Sequence, residues 1–273
     1  MSEFVLPNLQ RERIIKGIRE GIRLDGRKST DFREIKIEKN ISNNAESSVS
    51  LKIGNTEVYC GVKLGLTEPY SDSPDEGTFM MSVELHPMSS NEFDIGRPGI
   101  EAIELARVVD RGIRESGFID FKGLCIKEGE KVWQVFVDII TLNDDGNLFD
   151  VASLAALIAL GNAKLPVYNE EEDKIEQKLS DKSLPINKDL MSWNLTLYKI
   201  GDELIFDPSK EEEFVSDYRI SLAIADNNNK PRITAIQKGK EGVISEEEFE
   251  KILNLVEEKF NIMFPKIKEY VLE

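Results

Sequence analysis

Few residues in this 273-residue chain have the types and spacing that catalysis or metal binding demands. Cys60 and Cys125 lie far apart and outside any CxxC pattern, so neither a thiolate zinc site nor a disulfide framework is indicated. Such cysteines suit a reducing compartment, and the expected location is cytoplasmic. His86 is the only histidine, which excludes a multi-histidine metal site, and its place beside Pro87 at the end of a strand-like run points to a structural role. Neither a GxSxG elbow nor a GxxxxGK[ST] loop occurs. Two acidic runs, Glu170 to Asp173 and Glu211 to Glu213, read as solvated loop carboxylates rather than metal ligands. What remains is cationic: Arg107, Arg111 and Arg114 recur at helical spacing, and Arg97 precedes them. Guanidinium groups in such a row could grip phosphates, each in a two-pronged fork that stays charged at any working pH. On pattern alone, a solvated helix face is the commoner meaning of such a stripe.

The stripe needs a helix to position it. From Gly99 to Gly117, Ala102, Leu105, Ala106, Val108, Val109 and Ile113 fall on one arc at 100° per residue, with the arginines opposite. Val132 to Leu142 alternates as a strand, with Trp133, Val135, Val137 and Ile139 on one face. Asp144-Asp145-Gly146-Asn147 then turns the chain into an apolar helix, Phe149 to Lys164, closed by Pro166. Upstream, an amphipathic helix over Asn8 to Glu20 has Asn8 as its candidate cap, and the Asp25-Gly26-Arg27 turn holds this N-terminal segment against the body. Strands are expected at Phe32 to Glu38, Ser48 to Ile53, Thr56 to Leu64 and Thr78 to Leu85, with Gly54-Asn55 as a hairpin turn and Cys60 as a small core residue. Downstream, short strands at Asn194 to Ile200, Glu203 to Phe206, Tyr218 to Ala225 and Arg232 to Gln237 precede a helix from Ser245 to about Phe264. Ser245 to Glu248 forms its capping box. Strands followed by a helix occur twice, which indicates an α+β fold. The polar, aperiodic stretch between divides the chain into an arm over 1–30, a first domain over 31–168, a linker over 169–190 and a second domain over 191–273.

At 40% apolar and 32% charged residues the chain is globular rather than disordered. Its length suits one large or two modest domains at roughly 150 residues each. Lysine plus arginine total 35 against 51 acids, a net charge of −16, which excludes a general nucleic-acid coat protein. Any nucleic-acid contact must be local. The longest near-apolar run, Val151 to Leu160, is too short to span a bilayer, and Met1-Ser2-Glu3-Phe4 begins no signal peptide.

Arg23-Leu24-Asp25-Gly26-Arg27, Phe32-Arg33-Glu34-Ile35, Gly54-Asn55-Thr56, the arginine-bearing helix and the Asp-Gly turn into an alanine-rich helix together resemble the RNase PH family of phosphorolytic exoribonucleases. The resemblance runs from about residue 20 to residue 265. Within the family, the run Ala102 to Arg111 and the pair Val132-Trp133 look most like the non-catalytic ring subunit of the archaeal exosome. The fold so implied is the RNase PH fold, with ribosomal protein S5 domain 2-like layers, mixed sheets and packed helices.

Active members of that family hold the attacking phosphate in a Gly-Ser/Thr-Arg loop at the start of the alanine-rich helix. The matching stretch here is Gly146-Asn147-Leu148-Phe149, and neither Leu148 nor Phe149 can neutralise phosphate. They also use two aspartates six residues apart, which fall here on Glu213 and Arg219. The resemblance therefore implies a pseudo-enzyme with no catalytic residue, metal or cofactor of its own. A catalytic homologue would supply the chemistry, binding phosphate and a divalent ion, and three such pairs would form a ring with RNA-binding cap subunits. Arg107 and Arg111, with Arg114 and Arg97 as further candidates, would contact single-stranded RNA. Two rivals are an active phosphorolytic nuclease using Asp207 or Asp217, and a small-molecule kinase sharing only the S5-like fold. The latter lacks its glycine- and serine-rich phosphate loop.

Overall fold

The computed structural model describes residues 6–226 and 231–272; Met1 to Phe4, from which no signal peptide is expected, lie outside the described residues. In chain order the elements are α1 (Asn8–Arg19), β1 (Ile35–Lys39), β2 (Ser47–Ile53), β3 (Thr56–Thr67), β4 (Thr78–Glu84), α2 (Ile100–Ser116), β5 (Cys125–Lys127), β6 (Lys131–Asn143) and α3 (Leu148–Asn162). There follow β7 (Lys164–Asn169), β8 (Lys174–Ser183), β9 (Ser192–Ile200), β10 (Glu203–Phe206), α4 (Lys210–Val215), β11 (Tyr218–Asp226), β12 (Pro231–Gly239) and α5 (Glu246–Leu272). The first sheet has the order β1-β2-β3-β6-β4, with β5 also paired to β6. Strand β4 lies parallel to β6, a pairing that needs a crossover, and α2 supplies it. The second sheet, β10-β9-β11-β12, is antiparallel. The architecture is α+β, as expected from two successions of strands and helix.

Helix α3 is the common centre, packed against β2, β3, β9, α2 and α5. Every residue from Asp150 to Leu160 is buried, which is the environment a helix apolar on all sides requires. Helix α2 buries Ala102, Leu105, Val108, Val109 and Ile113 between β4, α3 and the second sheet, and Gly117 ends it in the left-handed region at φ 80°.

Four local expectations are corrected. Asn8 does not cap α1: it is the first helical residue, Pro7 precedes it, and no side chain caps the end. Residues 169–190 are not an unstructured linker, because β7 and β8 form a hairpin whose ladder needs no apolar alternation. Pro166 does not terminate α3; the helix stops at Ala163, and Pro166 lies inside β7. Helix α5 does not stop near Phe264 but runs through Pro265 to Leu272, since Phe264, Ile267 and Val271 continue its buried face. Its start is half a capping box: Ser245 Oγ accepts the Glu248 N–H at 3.1 Å, while the Glu248 side chain pairs with Lys199.

The acidic run Glu211 to Glu213 is likewise not a solvated loop. It forms α4, opened by a full capping box between Ser209 and Glu212. Glu212 also pairs with Arg23, whose Nε donates to it at 2.9 Å, and the two side chains are 4% and 0% exposed. Arg23 further donates to the carbonyls of Phe206 and Asp207, so the N-terminal arm is bolted to the second sheet. Removing one partner strands a buried charge, and Glu212→Ala should lower stability by about 3–5 kcal/mol, read as an earlier urea midpoint.

Asp150 is the one acid inside the apolar stretch of α3, and burial pushes its carboxyl well above the usual carboxylate range. One oxygen accepts the Thr196 N–H at 3.3 Å; the other, like Oδ1 of Asn147, has no partner as a bare acceptor among the described residues. A protonated, neutral carboxyl suits a site this buried better than a bare charge. The folded state then holds a proton that the unfolded chain releases near about pH 4, so this carboxyl makes stability fall as pH rises above that value. Asp150→Asn should flatten the fall; parallel wild-type and variant profiles of urea midpoint against pH would contradict it.

Candidate functional site

The turn Gly146-Asn147-Leu148-Phe149 opens α3, with Asn147 in the left-handed region at φ 62°. A helix start offers unpaired N–H groups and a partial positive charge, and so attracts an anion. Here the anion is the chain's own: Glu213 Oε1 accepts the Asn147 N–H at 2.7 Å and the Tyr198 hydroxyl at 2.6 Å. Burial and the nearby Asp144 push the Glu213 carboxyl upward, and Lys210 opposes them. Lys210 itself spans Asp144 at 2.6 Å and Glu92 at 2.9 Å.

Arg219 lies on β11, buried, opposite Tyr198 on β9 and Gly239 on β12. Its Cζ is 3.8 Å from the centroid of the Phe149 ring, and its Nη2 is 2.7 Å from Glu104 Oε1 on α2. A Cβ at Gly239 would stand 2.8 Å from that Cζ, so the glycine is what admits the guanidinium. Phe149 and Arg219, far apart in sequence, are therefore packed face to face. A divalent ion does not fit here: a fixed cation already fills the position, and its neighbouring carboxylate, Glu104, is committed to it. Leu148 is half-buried and packs against the core.

Asp207 offers no alternative centre. Fully buried at φ 45°, its carboxylate accepts from Arg33 Nη2 at 2.7 Å, Arg33 Nε at 2.9 Å, the Arg33 N–H at 2.7 Å, Arg27 Nη1 at 3.0 Å and Asn147 Nδ2 at 2.8 Å. No lone pair is left for substrate or metal. Asp217 is exposed and accepts the Gly201 N–H at 2.9 Å. Among the described residues no cluster of three His, Cys, Asp or Glu side chains could hold a metal ion. Reading single residues for chemistry missed Arg33 and Asn147, because their part is to saturate Asp207; the Phe32-Arg33 pair was the available signal.

The arginines of α2 project away from its buried arc, and Arg107, Arg111 and Arg114 are all exposed. Arg114 is occupied: it donates to Asp110 at 2.8 Å and to the Phe79 carbonyl at 3.0 Å, and lies over the Phe79 and Phe121 rings. Arg107 and Arg111 make no ion pair among the described residues. Arg97 is exposed on the wall of a cleft of about 810 Å³ between the end of β4 and the first turn of α2. His86 lines the same cleft, and its Nδ1 accepts the Met88 N–H at 3.2 Å. The structure thus brings Phe149, Arg219 and α2 together, with Glu213 one strand away, and leaves two guanidiniums of α2 uncompensated.

Comparison with known proteins matches domain 1 of the 3′ exoribonuclease family over residues 31–166 and domain 2 over residues 195–258. The chain is 40% identical over 268 residues to the exosome complex component Rrp42 of Methanocella arvoryzae, covering 98% of this chain and 99% of that one. It is similar to a chain of the Archaeoglobus fulgidus exosome with RNA bound to the active site, at a TM-score of 0.86 and 39% identity over 95% of this chain and 98% of that chain. An archaeal exosome core chain aligns at a TM-score of 0.81 and 37% identity, covering 96% and 97%. These likenesses extend over both sheets and the helices between them, and the chain belongs to the RNase PH-type 3′ exoribonuclease family.

Proposed function

We propose that this chain is the non-catalytic subunit of an exosome ring, which structures the active site of a catalytic RNase PH-type partner and helps hold RNA for 3′-to-5′ phosphorolysis. The observation that carries the reading is the contact between Arg219 and Phe149: where active relatives carry a phosphate anchor and a carboxylate, this chain has an aromatic ring and a guanidinium packed on one another. The Glu213 carboxylate at the start of α3 supports it, since a phosphate there would meet a like charge. The partner is then the place where phosphate and a divalent ion bind. Three pairs would close a six-membered ring beneath RNA-binding cap subunits, in the cytoplasm. No helix among the described residues is long and apolar enough to cross a membrane. With a net charge of −16, RNA is drawn to a narrow basic track rather than to the whole surface. The exposed, uncompensated Arg107 and Arg111 form that track on this chain, with Arg97 flanking it; Arg114 is spent on Asp110 and serves the helix instead.

The rigorously purified chain should release no nucleoside diphosphates from RNA in the presence of phosphate, whereas the co-purified assembly should. Glu213→Asp with Arg219→Asp should remain inactive, because Leu148 and Phe149 still offer phosphate no anchor; turnover in that variant would show that the start of α3 has been misread.

In the assembled ring, Arg107→Ala with Arg111→Ala should weaken RNA binding without disturbing assembly. Two lost phosphate contacts should lower the slope of log affinity against log salt by roughly 1.4, largely independently of sequence. Lys16→Ala with Arg19→Ala on α1 removes the same charge from a surface remote in sequence from the track. Equal losses in the two double variants would reduce the track to part of a diffuse field.

A further inference from the structure

Two acids flank Arg107 at the spacing that brings helix side chains together: Glu104 three residues before it and Asp110 three residues after. Either could pair with Arg107 and cancel its charge. Neither does, because each is held by another guanidinium. Glu104 Oε1 is 2.7 Å from Arg219 Nη2 and accepts from Gln237 Nε2 at 3.4 Å. Asp110 accepts from Arg114 at 2.8 and 3.2 Å. Glu115, one turn beyond Arg111, makes no ion pair with it.

Resting on the reading of α2 as an RNA-facing helix, we infer that Arg219 is a positioning residue for RNA binding: by holding Glu104 against the second sheet, it keeps Arg107 free for phosphate. The residue standing where active relatives carry a carboxylate thus acts on RNA through an intermediary acid. The hold on Glu104 comes from a seated guanidinium whose Nη2 meets the acid, while its Nη1 is buried with no hydrogen-bond partner among the described residues. Arg219 is clasped between the Phe149 ring and Gly239, and its ladder to Tyr198 and Gly239 leaves its backbone no freedom. Arg114 does the same for Asp110 from within α2, braced by the Phe79 and Phe121 rings. When Glu104 is released, the nearest exposed cation one turn along the same helix is Arg107, and an intrahelical pair there competes directly with RNA.

The test uses the ring assembled with its catalytic partner, without phosphate, and a fluorescein-labelled single-stranded oligoadenylate read by anisotropy across a salt series. Arg219→Met keeps the long side chain over Phe149 but removes the charge. It should weaken binding several-fold and lower the salt slope by about 0.7, the value of one phosphate contact. Adding Glu104→Gln should restore affinity and slope, since the freed acid is gone. A purely structural role, or direct contact of Arg219 with RNA, gives no such rescue, and failure of the rescue overturns the inference. So does wild-type affinity in Arg219→Met. If Arg219→Met does not assemble, Phe149→Leu removes the ring on which Arg219 is seated: it should weaken binding and Glu104→Gln should rescue it, and absence of either effect overturns the inference. The Arg107 and Arg111 double variant distinguishes the two levels. If it binds RNA like wild type, the reading of α2 fails; if it binds weakly while Glu104→Gln rescues nothing, only the role of Arg219 fails.

Discussion

The carboxylate of Asp207 is the constraint on which the remaining geometry depends. A charge removed from water must be paired and hydrogen-bonded, and Asp207 meets that demand by drawing in groups from two distant parts of the chain. Arg27 and Arg33 bring the segment between α1 and β1, and Asn147 brings the first turn of α3. Arg33 then reaches on to the carbonyls of Asp145 and Gly146, so the approach to α3 is held from both ends. The start of α3, the arm and the end of β10 are in this way one polar knot under an otherwise apolar core.

That knot places Phe149, and Phe149 places Arg219. Helix α2 lies between the first sheet and β9, β11 and β12, so whatever fixes β11 also fixes the outward face of α2. The exposed arginines of α2 are coupled in this manner to residues that are mostly buried. In this strongly negative chain, Arg107 keeps its charge because Glu104 and Asp110 already have other partners.

Helix α2, strand β6 and the body of α3 were legible because burial follows the intrinsic periods of helix and strand. The β7–β8 hairpin was not: Lys174 to Ser183 has almost no apolar side chains, and the strand exists through backbone pairing and the packing of Tyr168 on Trp133. Helix α4 is too short for a period to emerge, so Glu212 looked like one more solvated acid until Arg23 was seen against it. Helix α5 was expected to end near Phe264, yet tertiary burial of Ile267 and Val271 outweighs the N–H missing at Pro265. At the site, family likeness marked Phe149 and Arg219 one by one, but spacing along a chain cannot reveal that two distant losses touch. The partners of Glu104 and Asp110 were hidden for the same reason, since only a folded β11 brings Arg219 to α2.

The seat of Arg219 constrains how this surface can change. A guanidinium that rests on Phe149, answers Glu104 and fills the space left by Gly239 has four residues adapted to one another. Placing an aspartate at that position by a single substitution would leave an aromatic ring facing a carboxylate, a second carboxylate unanswered beside it, and a hollow over the glycine. Each reversal of one residue is opposed by the other three. The set is thus closed to change one residue at a time, although its members lie on four different segments of the chain.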